Sequence, residues 1–177
     1  MQKHVASLLM IITFICTVGA AHAASQEELF LRSVEGQWRG PGEVIAGKYK
    51  GTKFTCTFAG ISEIAEMGMT LDGTCRMGIF SQPIKAKFAR NADGYHGTFN
   101  NGSPAQGLDI TSGQINRDHM VFNLNRKQLN GSMLAHLADS NSMNITLSIR
   151  IEEAVIPVVD MKLIRTGPAP IRNLARN

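Results

Sequence analysis

Met143-Asn144-Ile145-Thr146-Leu147-Ser148-Ile149-Arg150-Ile151 alternates apolar and polar side chains without a break. On an extended strand successive side chains point to opposite faces. Met143, Ile145, Leu147, Ile149 and Ile151 therefore share one face, and Asn144, Thr146, Ser148 and Arg150 the other. Such a strand lays one face on a core and turns the other to water. The same period returns in Ile84, Ala86 and Phe88 against Lys85 and Lys87, and in Met120, Phe122 and Leu124 against Val121 and Asn123.

Working outward, strand follows strand with turn residues between. The expected strands are 37–46, 52–59, 69–80, 83–89, 95–100, 108–115, 120–124, 132–138, 143–151 and 155–165. Pro41-Gly42 predicts a kink or bulge in the first, and Asp72-Gly73 a turn or bulge in the third. Asp93-Gly94 is a hairpin signal. Leu129-Asn130-Gly131-Ser132 reads as a tight turn or a bulge, and 61–68 fits either a strand end or a helical turn. About eight to ten short, evenly spaced strands define an all-β domain. No long helix separates any two, which argues against parallel crossovers. The expected fold is a single antiparallel up-and-down β-barrel, with a flattened sandwich as the alternative. Short strands, absent aromatic girdles and polar outer faces argue against a membrane barrel.

Ahead of the strands, Ser25-Gln26-Glu27-Glu28 opens a short helix. Ser25 can cap it, Glu28 completes a capping box, and Leu29, Phe30 and Val34 can pack on one side. Further upstream, Met1-Gln2-Lys3-His4 is a basic start, Val5 to Val18 an uncharged apolar run, and Ala21-His22-Ala23 a small-x-small cleavage site. This is the pattern of a secretory signal peptide, too short in its apolar run for a spanning helix. The expected organisation is a signal peptide over 1–23, a short N-terminal helix over 24–35, a β-barrel domain over 36–166 and a C-terminal tail over 167–177. The mature chain is then periplasmic or secreted, with no membrane span.

Export changes how the cysteines are read. Cys16 leaves with the leader, so Cys56 and Cys75 remain, each in a strand-forming segment. Two cysteines in an oxidising compartment predict one disulfide. It closes a loop of about 20 residues, for which chain entropy gives roughly 3 kcal/mol. Loss of Lys3 with the leader lowers the formal charge from +4 to +3. Mildly basic, with scattered cations and few aromatics, the chain shows no nucleic-acid footprint.

At Gly36-Gln37-Trp38, a Gly-x-Trp that follows a short helix at the first strand, the sequence resembles the calycin barrels: lipocalins and their fatty-acid-binding and avidin relatives. The resemblance implies a cation late in the last strand packed across the indole, and Arg165 stands in that place. A guanidinium over an indole contributes roughly 0.5–2 kcal/mol. The likeness covers these two places at the ends of the barrel. The chain is also similar to small periplasmic barrel inhibitors of bacterial metalloproteases, which share the helix, the Gly-x-Trp and an early disulfide. Those insert their N-terminal residues into the protease; this chain is longer by several strands.

Chemical motifs are few. There is no Gly-x-Ser-x-Gly elbow and no phosphate-cradling loop. His96, His119 and His136 lie in separate segments without ligand spacing, so neither a metal site nor a cofactor is expected. Glu152 and Glu153 are adjacent and would face opposite sides of a strand. Asn101, Asn130 and Asn144 sit in Asn-x-Ser/Thr sequons but read as turn and strand residues. The expectation is a non-enzymatic protein; catalysis would need polar residues from separate strands to converge, the three histidines first among them. Met67, Met69, Met77, Met120, Met133, Met143 and Met161 supply core filling or an adaptable apolar lining. In a calycin-type barrel, Phe54, Phe58, Phe88, Met120, Phe122, Met133, Ile145, Leu147, Ile149 and Met161 are the candidate ligand-binding wall. The expected partner is a small apolar or amphipathic ligand or a cell-envelope component; the alternative is a protein partner such as a protease.

Overall fold

A computed structural model describes residues 24–100 and 107–169. The expected leader over 1–23, most of the expected tail over 167–177, and Asn101 lie outside them. The described residues begin with helix α1 (Gln26–Val34) and continue through ten strands. These are β1 (Gly36–Val44), β2 (Lys53–Glu63), β3 (Gly68–Met77), β4 (Phe80–Asn91) and β5 (Gly94–Asn100), then β6 (Leu108–Ile115), β7 (His119–Arg126), β8 (Leu129–Asp139), β9 (Ser142–Ile151) and β10 (Ala154–Gly167). Each strand pairs antiparallel with its neighbours in sequence, and β1 pairs with β10, so the sheet closes as an up-and-down barrel. Closure leaves no free sheet edge. The barrel, rather than the sandwich, is the architecture.

α1 forms as its sequence directs, with two differences. The Ser25 hydroxyl accepts from the Glu28 amide at 3.1 Å, but the Glu28 carboxylate pairs with Arg32 at 2.9 Å. An (i, i+4) cation thus competes with the return half of the capping box. The buried stripe is Phe30, Leu31 and Val34, while Leu29 is half exposed. That stripe covers one end of the barrel. Glu27 fastens it there through Arg90 on β4 at 2.6 Å and the Tyr95 hydroxyl on β5 at 3.3 Å. Around it Phe88, Tyr95 and Phe122 pack edge-on or tilted, their ring centroids 4.6–6.0 Å apart.

Several turn signals sit inside strands. Asp72-Gly73 passes straight through β3, with Gly73 paired to Phe58. The Phe58 ring occupies the space a Cβ at Gly73 would need, so this glycine makes room for an aromatic neighbour rather than bending the chain. Asn130-Gly131 runs in register within β8, and the hairpin lies earlier, at residues 127–128, where Lys127 takes φ 53°. The turn before β5 is residues 92–93, held by the Asn91 side chain accepting from the Asp93 amide, so Gly94 already opens the strand. Pro41 pairs with Thr55 in an unbroken register with β2; the irregularity in β1 is between Gln37 and Trp38, against β10. The ambiguous 61–68 resolves into the end of β2, a 3-10 turn at Ile64–Glu66 and the start of β3.

Candidate functional site

Trp38 is fully buried, and Arg165 is its register partner on β10, with the guanidinium carbon 4.2 Å from the ring centroid. The pair also finishes α1. A helix leaves its last carbonyls without internal partners. Here the indole N–H donates to the Val34 carbonyl at 2.9 Å, and the guanidinium donates to the Ser33 and Glu35 carbonyls. A third bond, from Arg165 Nε to the Ser140 carbonyl at 3.0 Å, reaches the link between β8 and β9. One arginine therefore ties the helix, the closing strand pair and a hairpin. Gly36 has φ +128°, and a Cβ there would meet Arg165 Nη1 at 2.6 Å, so the glycine of Gly-x-Trp leaves room for the guanidinium.

Beyond this plug the lumen is hollow. A small inner cavity of about 60 Å³ lies against Val34 and Trp38. A larger one of about 330 Å³ continues to the far end, where Val44, Thr52, Met77 and Gln82 line its mouth. Leu71, Phe99, Met133, Met143 and Ile145 line both. Thr52 and Gln82 are the polar side chains of the larger lining, and the remainder is carbon and sulfur.

Of the candidate wall residues, Phe54, Phe58, Met133, Ile145, Leu147 and Met161 line the larger cavity, and Phe88 and Met120 the inner one. Phe122 and Ile149 line neither. Phe122 is fully buried in the aromatic cluster under α1, and Ile149 lies late in β9, paired with Gly131 and Ile156. Leu71, Phe99 and Val159 line the lumen without having been singled out, and Met143, named as core filling or apolar lining but not as wall, lines it too. Met143 and Phe99 carry a legible signal, since each faces inward in its strand's alternation. Cys56 and Cys75 are directly opposed on β2 and β3, Cα atoms 4.0 Å apart, as a disulfide whose Cys75 end contributes to the cavity wall.

The histidines are placed differently from their sequence spacing. His119 and His136 are register partners across β7 and β8. Asp118 lies 2.7 Å from His119 Nδ1 and 3.6 Å from His136 Nε2. The hydrogen bond with His119 holds the Asp118 carboxyl below the ordinary carboxylate range. All three are exposed or nearly so, and the group lies outside the cavity near the plugged end. His96 stands apart on β5. Among the described residues no group of three or more His, Cys, Asp and Glu is placed to hold a metal ion.

No family model and no curated protein matches this sequence. Among solved structures it is similar to the crystal structure of Rv2717c from M. tuberculosis, with a TM-score of 0.58 and 10% identity over 81% of this chain and 99% of that one. At that identity the likeness concerns the fold alone.

Proposed function

We propose that this is an exported, non-enzymatic barrel that binds a small apolar or amphipathic molecule in its lumen. The observation that carries the reading is the 330 Å³ apolar cavity open at one end. Protein interiors pack to crystal density and keep few voids larger than a water. A chamber without polar partners does not hold water well. At about 30 Å³ per water-sized group, it accepts roughly ten such groups, the low end of ligand-site volumes. Thr52 and Gln82 near the mouth suit a ligand whose polar end points outward and whose apolar part reaches toward Leu71 and Phe99. The methionines supply a lining that adapts to varied shapes. A cysteine pair at disulfide distance is compatible with export. The packed α1 supports a ligand over protease inhibition, which calls for a free N-terminal arm.

The test is titration with a fluorescent medium-chain fatty acid, together with native mass spectrometry of protein purified from its own host. Saturable one-to-one binding in the micromolar range, or a co-purified small molecule, is the expected result. No saturable binding and no added mass would overturn the reading.

A further inference from the structure

We infer that the open rim of the barrel is a docking surface for an anionic lipid bilayer, against which the cavity exchanges its ligand. This rests on the ligand-binding reading only in what is exchanged; the docking itself stands on the composition of the rim.

The exposed apolar side chains are unevenly placed. Ile79 at 93% exposure, Phe80 at 70% and Met77 sit at the tip of the β3–β4 hairpin. Tyr49, 67% exposed, and Ile45 sit in the β1–β2 connection. Ile151, Val155 and Ile156 flank the β9–β10 turn. Up-and-down topology carries all three connections to the end opposite α1, and the strand order makes β9, β10, β1, β2, β3 and β4 consecutive around the wall. The result is an arc of protruding apolar tips beside the cavity mouth. Exposed apolar groups gathered in this way mark an interaction site, whereas isolated ones do not.

Charge selects the partner. In the β1–β4 sector of the rim, Lys48, Lys50, Lys53 and Arg76 are exposed, and Glu43 is the acid beside them. Lys48 Nζ lies 5.6 Å from the Tyr49 ring centroid, so a cation and an amphipathic aromatic are presented together. Glu152 and Glu153 place negative charge at the β9–β10 turn, so the basic β1–β4 sector leads toward the surface and Ile151, Val155 and Ile156 stand at the edge of the contact. Aromatic and aliphatic tips that enter the headgroup layer, with lysines and arginines beside them, are the elements of interfacial binding to anionic lipid. Separate hairpin tips press into a deformable layer more readily than onto a rigid protein face. At the plugged end α1 is fastened over the lumen, its one exposed large apolar side chain is Leu29, and Trp38 and its neighbours close the barrel.

The experiment is flotation of the purified protein with vesicles of equal parts phosphatidylglycerol and phosphatidylcholine, and with phosphatidylcholine alone. Fatty-acid binding is measured separately in vesicle-free solution. The expected result is binding to the anionic vesicles about tenfold above that to the neutral ones. It is released by salt near about 0.5 M, where the screening length falls to a few ångströms. Ile79→Asp/Phe80→Asp and, separately, Lys48→Glu/Lys50→Glu lower it about tenfold, while Ile164→Asp on the outer wall leaves it unchanged. All of these side chains are exposed, and an unchanged Tm reports that each variant is folded. No flotation of the unaltered protein, equal flotation with neutral vesicles, or rim variants that float as well as the unaltered protein would overturn the docking and leave the ligand reading standing. Vesicle binding without fatty-acid binding would sink the ligand reading and leave the docking.

Discussion

Arg165 ties together α1, the closing strand pair and the β8–β9 link. Its guanidinium covers the Trp38 ring and donates to carbonyls of Ser33, Glu35 and Ser140. Hydrogen bonds from a charged group contribute about 1.5–3 kcal/mol and a guanidinium over an indole roughly 0.5–2 kcal/mol, not additively. Arg165→Ala should therefore lower stability by about 3 kcal/mol, read by urea denaturation. Arg165→Lys should recover only part of that, because a point charge cannot serve three carbonyls and a ring at once. Equal stability of the lysine variant and the native protein would mean that charge alone matters. Tyr95 makes a second residue-scale case. Burial first, then the nearby Glu27 carboxylate, raises its hydroxyl pKa above the ordinary 10.0. The folded state thus holds this proton more tightly than the unfolded state. The stabilisation is fully present below pH 10.0 and is lost as pH rises through the folded value. Tyr95→Phe should cost about 1 kcal/mol at neutral pH, from the lost bond to Glu27. The gap in Tm between it and the native protein should narrow in scans above pH 10.0. A gap independent of pH would rule out tyrosine ionisation as the cause.

Elements were legible where a period ran uninterrupted. β9 could be read directly from its alternation, as could the inward faces of β4 and β7. That alternation says which way a side chain points but not how far along the barrel it lies. Ile151 keeps the phase of β9 and still ends exposed, because the strand runs past the wall into the rim. Ile149 misses the cavity by lying toward the rim, and Phe122 by lying at the opposite end, in the aromatic cluster under α1. Glycine misled because two needs look alike in sequence: a turn, and room for a neighbouring ring as at Gly73. The meeting of His119 and His136 depends on the pairing of β7 with β8, which no spacing within one segment reveals. The cysteine pair belongs to this scale because it joins two strands already side by side. Its worth comes from the unfolded chain, where it closes a loop of 19 residues' separation. Cys56→Ala/Cys75→Ala should lose roughly 3 kcal/mol, and reductant should then have no further effect on its denaturation curve. If reductant leaves the native curve unmoved as well, the cross-link does not form in solution.

At the scale of the whole molecule, a closed sheet has one decision left to make, whether its interior is filled or empty. The same residue types serve both, so the strand pattern predicts the barrel but not the hollow. What separates the two is the plug. α1, Trp38 and the Phe88–Tyr95–Phe122 cluster fill one end, so the side chains available beyond it leave about 330 Å³ unoccupied toward the mouth. If that space is kept for a ligand, filling it should remove binding without harming the fold; if it is slack in the packing, filling it should change stability alone. Leu147 is the position to use, because it lines the larger cavity and not the inner one, and is not fully buried. Leu147→Trp adds volume on the wall of an existing cavity, so the overpacking cost of about 1–3 kcal/mol seen in filled cores should not arise. Fatty-acid affinity is expected to fall at least about tenfold, equivalent to 1.4 kcal/mol, with Tm unchanged or raised. Leu147→Ala enlarges the same chamber. It should lower Tm through lost apolar contact, while binding persists and shifts toward longer chains. Affinity unaffected by the tryptophan would place the ligand elsewhere, and a lowered Tm for Leu147→Trp would mean that the lumen is already filled in solution.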